Sequence, residues 1–159
     1  MNFVEVIMNY RKANIEDVGQ LVELRKKQLI DEGCYSENNI DDELEKYFST
    51  SITNDNLVVW IATENEYIIG TAGVCFFQYP PSFSNPTGRI AYITNVYTKT
   101  QYRKQGIATK LLELILEEIK NTGCKFARLH ASSQGKKLYE KIGFVDAEGF
   151  MSKHILQFE

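Results

Sequence analysis

The chain has 159 residues, 43% of them hydrophobic, and a net charge of −3, which suits one domain with a sizeable core. No apolar run approaches the roughly 20 residues of a membrane span, and Met1 to Tyr10 lacks a signal-peptide pattern, so a cytoplasmic protein without a membrane partner is expected. Cys34, Cys75 and Cys124 are odd in number and far apart, with no C-x-x-C or Cys/His cluster, which predicts reduced thiols and no structural metal.

Val4 to Lys12 reads as a first strand. Asn14 can N-cap a helix, with Asp17 three residues on approximating a capping box, and Ile15, Val18, Leu21, Leu24 and Leu29 supply apolar positions as far as Gly33. Ser36 to Asn39 breaks the pattern. A second amphipathic helix follows, marked by Ile40, Leu44, Tyr47 and Phe48 and ending near Ser51. Leu57 to Thr63 and Tyr67 to Phe77 are strands joined by a turn at Glu64-Asn65-Glu66, a hairpin. Gln78 to Gly88 contains all three prolines and forms a stiffened loop.

Arg89 to Thr98 alternates, with Ile90, Tyr92, Thr94 and Val96 on one parity and Ala91, Ile93, Asn95 and Tyr97 on the other, a strand packed on both faces. The helix after it carries Ile107, Leu111, Ile115 and Ile119 on one stripe, with Glu113, Glu117, Glu118 and Lys120 left wet, and stops at Gly123. Between them lies Tyr102-Arg103-Lys104-Gln105-Gly106-Ile107-Ala108, a basic turn with small residues where the helix begins. Unpaired N–H groups and the positive end of the helix dipole favour an anion there, and Gly106 and Ala108 keep side chains away from it. A phosphate is the expected ligand. Beyond Gly123, Lys125 to Ala131 reads as a strand, Gln134 to Ile142 as a short helix, Gly143-Phe144-Val145 as the opening of another strand and Phe150 to Phe158 as the last. One continuous α/β domain covering residues 1–159 results.

Charge is unevenly placed. Lys99 to Lys141 holds ten Lys/Arg against four Asp/Glu, leaving eight against seventeen elsewhere. A polyanionic ligand accounts for the basic part, which lacks the interleaved aromatics of a nucleic-acid site. Asp31 to Glu45 contains seven acidic residues and no Lys or Arg, either an attractor for a cationic amine or a solvated helix face.

The P-loop spacing G-x-x-x-x-G-K-[ST] and the fingerprint G-x-G-x-x-G are both missing. Arg103-x-x-Gly106-x-Ala108, after a strand and before an amphipathic helix, instead resembles the [Q/R]-x-x-G-x-[G/A] signature of the GNAT superfamily of acyl-CoA-dependent N-acyltransferases. Leu138-Tyr139-Glu140-Lys141-Ile142-Gly143-Phe144 is similar to the L-Y-E-K-x-G-F signature that closes that fold, and the element order β-α-α-β-β-β-α-β-α-β-β is the family's order. The resemblance implies a twisted mixed sheet flanked by helices, with acetyl-CoA as cofactor and a small-molecule or peptide amine as acceptor.

The same resemblance implies the site. Tyr139 is the general acid toward the departing thiolate. The pyrophosphate turn is Arg103, Lys104, Gln105, Gly106, Ile107, Ala108 and Thr109. Asn95, Val96, Tyr97 and Thr98 hold the acyl and pantetheine portion, with the N–H of Val96 or Tyr97 at the acyl oxygen, and Ser132 and Lys136 complete the cofactor set. Many members have Asn and Ala where this chain has Ser132 and Gly135, and Gly135 leaves more room beside the cofactor. Tyr35, Phe48, Phe76, Tyr79 and Phe83 fall in the acceptor groove, or serve as core and lid packing. An acceptor ammonium near pKa ~10.4 must lose a proton before attack, yet Arg89 to Thr98 contains no Asp or Glu. Glu32, Glu37 and His130 are the candidate bases. The alternative function is a non-catalytic acyl-CoA-binding sensor or scaffold, and Ile155, Leu156 and Phe158 could serve a homodimer.

Overall fold

A computed structural model describes residues 7–147 and 149–155. Five strands form one sheet in the order β1 Met8–Lys12, β2 Leu57–Glu64, β3 Tyr67–Gln78, β4 Arg89–Thr98, β5 Ala127–Arg128, all antiparallel except the β4–β5 pair. The helices are α1 Val18–Asp31, α2 Asp41–Thr53, α3 Ile107–Asn121 and α4 Lys136–Ile142. The entry to α1 is built as the sequence suggests. Asn14 accepts from Glu16 N, the Asn14 N–H donates to Asp17, and Arg11 holds the same carboxylate at 2.7 and 2.8 Å.

Alternation along the strands divides the core. Ala62, Ile69, Ala72, Val74, Ala91 and Ile93 meet the buried stripe of α3, while Leu57, Val59, Ile61 and Ile68 meet Val18, Leu21, Val22 and Leu24 of α1 and Phe48 of α2. The helices α1 and α2 thus cover one face and α3 the other. A Cβ on Gly70 would lie 3.0 Å from Ile107 Cγ2 and 3.2 Å from Leu111 Cδ1. The missing side chain therefore lets α3 sit directly on β3.

Strand β4 departs from simple alternation. Gly73 pairs Thr94 and Thr71 pairs Tyr97, so two steps on β3 oppose three on β4, a bulge. Asn95 turns into the left-handed region (φ 53°), and Thr71 Oγ1 donates to its carbonyl at 2.6 Å. The extra residue reverses the parity expected from the sequence. Val96 packs with the α3 face, while Tyr97 passes to the α1 face, whose cluster it joins.

The end of the chain differs from its expected strands. Of Lys125 to Ala131, only Ala127 and Arg128 pair with β4, because the two segments then diverge. Among the described residues, neither Gly143-Phe144-Val145 nor 150–155 forms a strand. A strand needs a ladder partner, and a β5 of two residues offers too short an edge. Val145, Phe150, Met151 and Ile155 are exposed. Val4 to Val6, Leu156 and Phe158 lie outside the described residues.

Leu111 is fully buried between α3 and the sheet. Leu111→Ala is expected to lower the unfolding free energy by about 2–5 kcal/mol, seen as a reduced urea midpoint at unchanged slope.

Candidate functional site

The divergence of β4 and β5 opens a cleft of about 530 Å³, bounded by the end of β4, the start of α3, the C-terminal turn of α1 and one side of α4. At its mouth the chain turns through two left-handed residues, Lys104 (φ 62°) and Gly106 (φ 82°). Gly106 N-caps α3 without a side-chain hydrogen bond, and the first turn of α3 carries no acidic residue. The N–H groups of Ile107, Ala108 and Thr109 consequently lack a helical partner. A Cβ on Gly106 would meet nothing within 4 Å, so the space ahead of these donors is open.

Arg103 lines the cleft and its side chain is also engaged within the protein. Its Nε donates to Thr98 O at 2.9 Å, and a terminal nitrogen donates to Asp31 Oδ2 at 3.0 Å. The guanidinium also lies 5.4 Å from the Tyr97 ring centre. The same Asp31 oxygen accepts from the Tyr97 hydroxyl at 2.8 Å. These contacts tie the end of α1 to β4 and to the turn, and they hold the Asp31 carboxyl below its usual range, the Tyr97 hydrogen bond being the largest cause. The arginine side chain thus braces the turn, while Lys104 and Lys141 line the cleft.

Deeper in, Thr98 Oγ1 is buried without a hydrogen-bond partner, and Thr98 lines the cleft. Tyr139 is 8% exposed, its ring edge-on to Phe144 at 6.0 Å between centres. Its hydroxyl makes no hydrogen bond to the described residues. Burial, with the charge of Glu32 second, pushes this phenol up to about 12. Gly135 lines the cleft and also makes room for the tyrosine ring. A Cβ there would lie 3.0 Å from Tyr139 Cε2 and 3.3 Å from Ser132 Oγ.

Of the expected cofactor residues, Val96, Tyr97, Thr98, Arg103, Lys104, Gly106, Ile107, Ala108, Thr109 and Ser132 share this cleft with Tyr139. Three fall elsewhere. The Asn95 residue forms the bulge, Gln105 is exposed, and Lys136 pairs with Asp146 at 3.1 Å beside a second cavity. The expected acceptor aromatics do not converge. Phe48, 1% exposed, is core, since it lies on the buried stripe of α2. Phe76 stacks under Arg89 at 4.4 Å, Tyr79 lines the second cavity, and Tyr35 and Phe83 stand in solvent. Sequence reasoning missed Gln28 and Asp31 of α1, whose place beside β4 is a long-range packing result. Of the candidate bases, Glu32 lines the cleft, while His130 shares a hydrogen bond of 2.7 Å with the Tyr92 hydroxyl. Among the described residues no cluster of His, Cys, Asp and Glu could hold a metal, and no helix is long and apolar enough to cross a membrane.

Comparison with known proteins gives the following. A family model described as an acetyltransferase (GNAT) domain matches residues 55–146. Thialysine N-epsilon-acetyltransferase of Mus musculus is 37% identical over 86 residues, 50% of this chain and 48% of that protein. The chain spans about half the length of the curated thialysine enzymes it matches. Glucosamine 6-phosphate N-acetyltransferase of Arabidopsis thaliana is 25% identical over 93% of this chain and 91% of its own. The crystal structure of a predicted acetyltransferase with acetyl-CoA from Clostridium acetobutylicum superposes with a TM-score of 0.90 at 44% identity, covering 94% of this chain and 97% of that one.

The depressed Asp31 carboxyl gives a pH signature. A carboxyl ionising below its ordinary value near 3.8 adds stability that is present above that value and lost as pH falls through it. Asp31→Asn is therefore expected to lower the melting temperature at pH 7, by roughly 2–4 °C for each kcal/mol lost. Thermal melts from pH 7 down to pH 3 should show the gap from wild type closing at the acid end.

Proposed function

The chain belongs to the GNAT acetyltransferase family, and on that premise we propose that it is an N-acetyltransferase, working as one domain, that takes acetyl-CoA as donor and a primary amine as acceptor. The observation that carries this reading is the meeting, in one cleft, of the uncapped α3 amides and the lone phenol of Tyr139. The relatives named for thialysine and for glucosamine 6-phosphate are both N-acetyltransferases, which supports an amine acceptor.

The residues present fit the donor. Three unpaired N–H groups, the dipole of a 15-residue helix and the lysines of the cleft suit a pyrophosphate. The orphaned Thr98 hydroxyl needs a polar partner inside the cleft. Acetyl-CoA, when bound, supplies an activated acetyl group and a thiolate leaving group. Val96 and Tyr97 line the cleft beside Tyr139, and one of their main-chain N–H groups serves the acyl oxygen as it gains charge.

The role of Tyr139 follows from its environment. A phenol near 12 stays protonated throughout the neutral and mildly alkaline range. A free thiol ionises near ~8.5, so complete proton transfer from the phenol to the thiolate is uphill by about 5 kcal/mol. Tyr139 therefore works by donating a hydrogen bond that strengthens as the sulfur gains charge. Its deletion removes a charge-assisted bond without disturbing the helix amides.

Two variants separate the parts. Tyr139→Phe should reduce amine-dependent thiol release about 10- to 100-fold while the dissociation constant for acetyl-CoA stays within about twofold of wild type. Gly106→Glu places a carboxylate before the α3 amides and should abolish acetyl-CoA binding, whereas Gly106→Asn, which tolerates the left-handed turn, should retain it. Thermal shift reads both. Acetyl-CoA at 100 times its dissociation constant stabilises a one-site protein by about 2.7 kcal/mol, and normal affinity in the Glu variant would remove the pyrophosphate assignment. A thermal shift without thiol release on any of a panel of amines would turn the reading toward an acyl-CoA sensor.

A further inference from the structure

A smaller cavity of about 120 Å³ lies on the α1 side of β4, and Tyr139, Ser132 and Val96 line it together with the main cleft. Its other walls include Tyr92 and Thr94 of β4, His130 beyond β5, and three residues of α1, Arg25, Gln28 and Glu32. The spacing 25, 28, 32 puts these three on one helix face. They are also joined in order. Arg25 donates to Gln28 Oε1 at 3.1 Å, and Gln28 Nε2 donates to Glu32 Oε1 at 3.1 Å and to Val96 O at 3.3 Å. Gln28 is buried, so this arrangement is fixed against the bulged strand.

The two ends of the series carry opposite charge, and the cation is poorly matched within the protein. Arg25 is half-buried, and among the described residues it forms no ion pair. Its one hydrogen bond engages a neutral amide, leaving most of its five donors free. Of the groups near it, Tyr47 and Tyr92 have pKa values raised by burial and are neutral at pH 7. A half-buried guanidinium that faces the cavity without an ion-pair partner is a receptor for a carboxylate or phosphate. Glu32, at the other end and next to Tyr139, suits an ammonium.

Resting on the acetyltransferase reading, we infer that the acceptor is an amine that also carries an anionic group, with Arg25 receiving the anion and Glu32 receiving the ammonium and taking its proton as the amine attacks. One N–H bond of the ammonium breaks with its proton passing to Glu32, the freed lone pair forms the bond to the acyl carbon, and as the C–S bond gives its electrons to the sulfur the second proton leaves the nitrogen and ends on the departing thiolate. Arg25 and Glu32 are two helical turns apart, about 10 Å along the axis, and their long side chains shorten the gap that the ligand must span. Gln28 touches the strand at Val96, so the anion and the reacting nitrogen are several bonds apart. An ω-amino acid or an aminoalkyl phosphate fits this spacing.

The test compares 5-aminopentanoate, 3-aminopropyl phosphate and pentylamine by calorimetric titration, with thiol release from acetyl-CoA measured separately. Wild-type protein should bind at least one of the anionic amines about tenfold or more tighter than pentylamine, and which one it prefers identifies the anion as carboxylate or phosphate. Arg25→Gln should erase that preference and Arg25→Lys should keep part of it. Glu32→Gln should lower kcat about tenfold or more. Equal binding of all three amines by wild type, or a preference that survives in Arg25→Gln, overturns the inference. Arg25-dependent binding of an anionic amine without thiol release would overturn the acetyltransferase reading and leave the anion site standing.

Discussion

Strand β4 keeps its pairing with β3 along its length but gives up its partner on the other edge after two residues, Ala91 and Tyr92. Everything functional in the molecule follows from that loss. The unpaired half of the strand forms one wall of the cleft, and the segment after β5 passes over to α4, which brings Tyr139 to the opposite wall. A continuous parallel ladder would have closed this space with backbone hydrogen bonds. The bulge at Asn95 acts on the same stretch by turning Tyr97 toward α1, where its hydroxyl meets Asp31.

The two sides of the cleft are not independent. Asp31 accepts from Tyr97 on β4 and from Arg103 in the turn, and Arg103 also holds the Thr98 carbonyl. The position of the α3 amides is thereby linked to the end of α1. One turn back on that helix, Gln28 touches both Val96 and Glu32. The Arg103 to Ala108 turn, the strand edge and the smaller cavity are therefore braced through a single helix end. The individual polar contacts are partly exposed and each contributes modestly. Their joint effect is geometric, because they fix side chains that otherwise have many rotamers.

Charge separates along the chain and again in space. The segment from Lys99 to Lys141 is basic and supplies the turn, Lys104 and Lys141, whereas the acidic remainder contributes Asp31 and Glu32. A donor with several negative charges and an acceptor with a positive one would approach from regions of opposite potential. Arg25 interrupts the acidic side at one point, which gives the smaller cavity charges of both signs.

Local patterns determined much of this in the sequence itself. The stripe Ile107, Leu111, Ile115, Ile119 specified α3, the Asn14–Asp17 box specified the entry to α1, and the Gly106 turn marked where backbone donors would be free. Leu138 to Phe144 also carried its tyrosine to the cleft. Each of these depends on residues within a turn or two of one another, and short-range spacing in the sequence is sufficient to state them. What only the tertiary structure decided depends on register and on packing between distant segments. One extra residue in β4 reversed the parity of Tyr97, which no alternation in the sequence could reveal. The Arg103 side chain pairs with Asp31, 72 residues away. The aromatic side chains expected in the acceptor groove were distributed among core, surface and a second cavity, because an apolar ring is suited equally to packing and to binding. Arg25, Gln28 and Glu32 share a helix face by spacing alone, but only the placement of α1 against the bulged strand made that face a wall of the site.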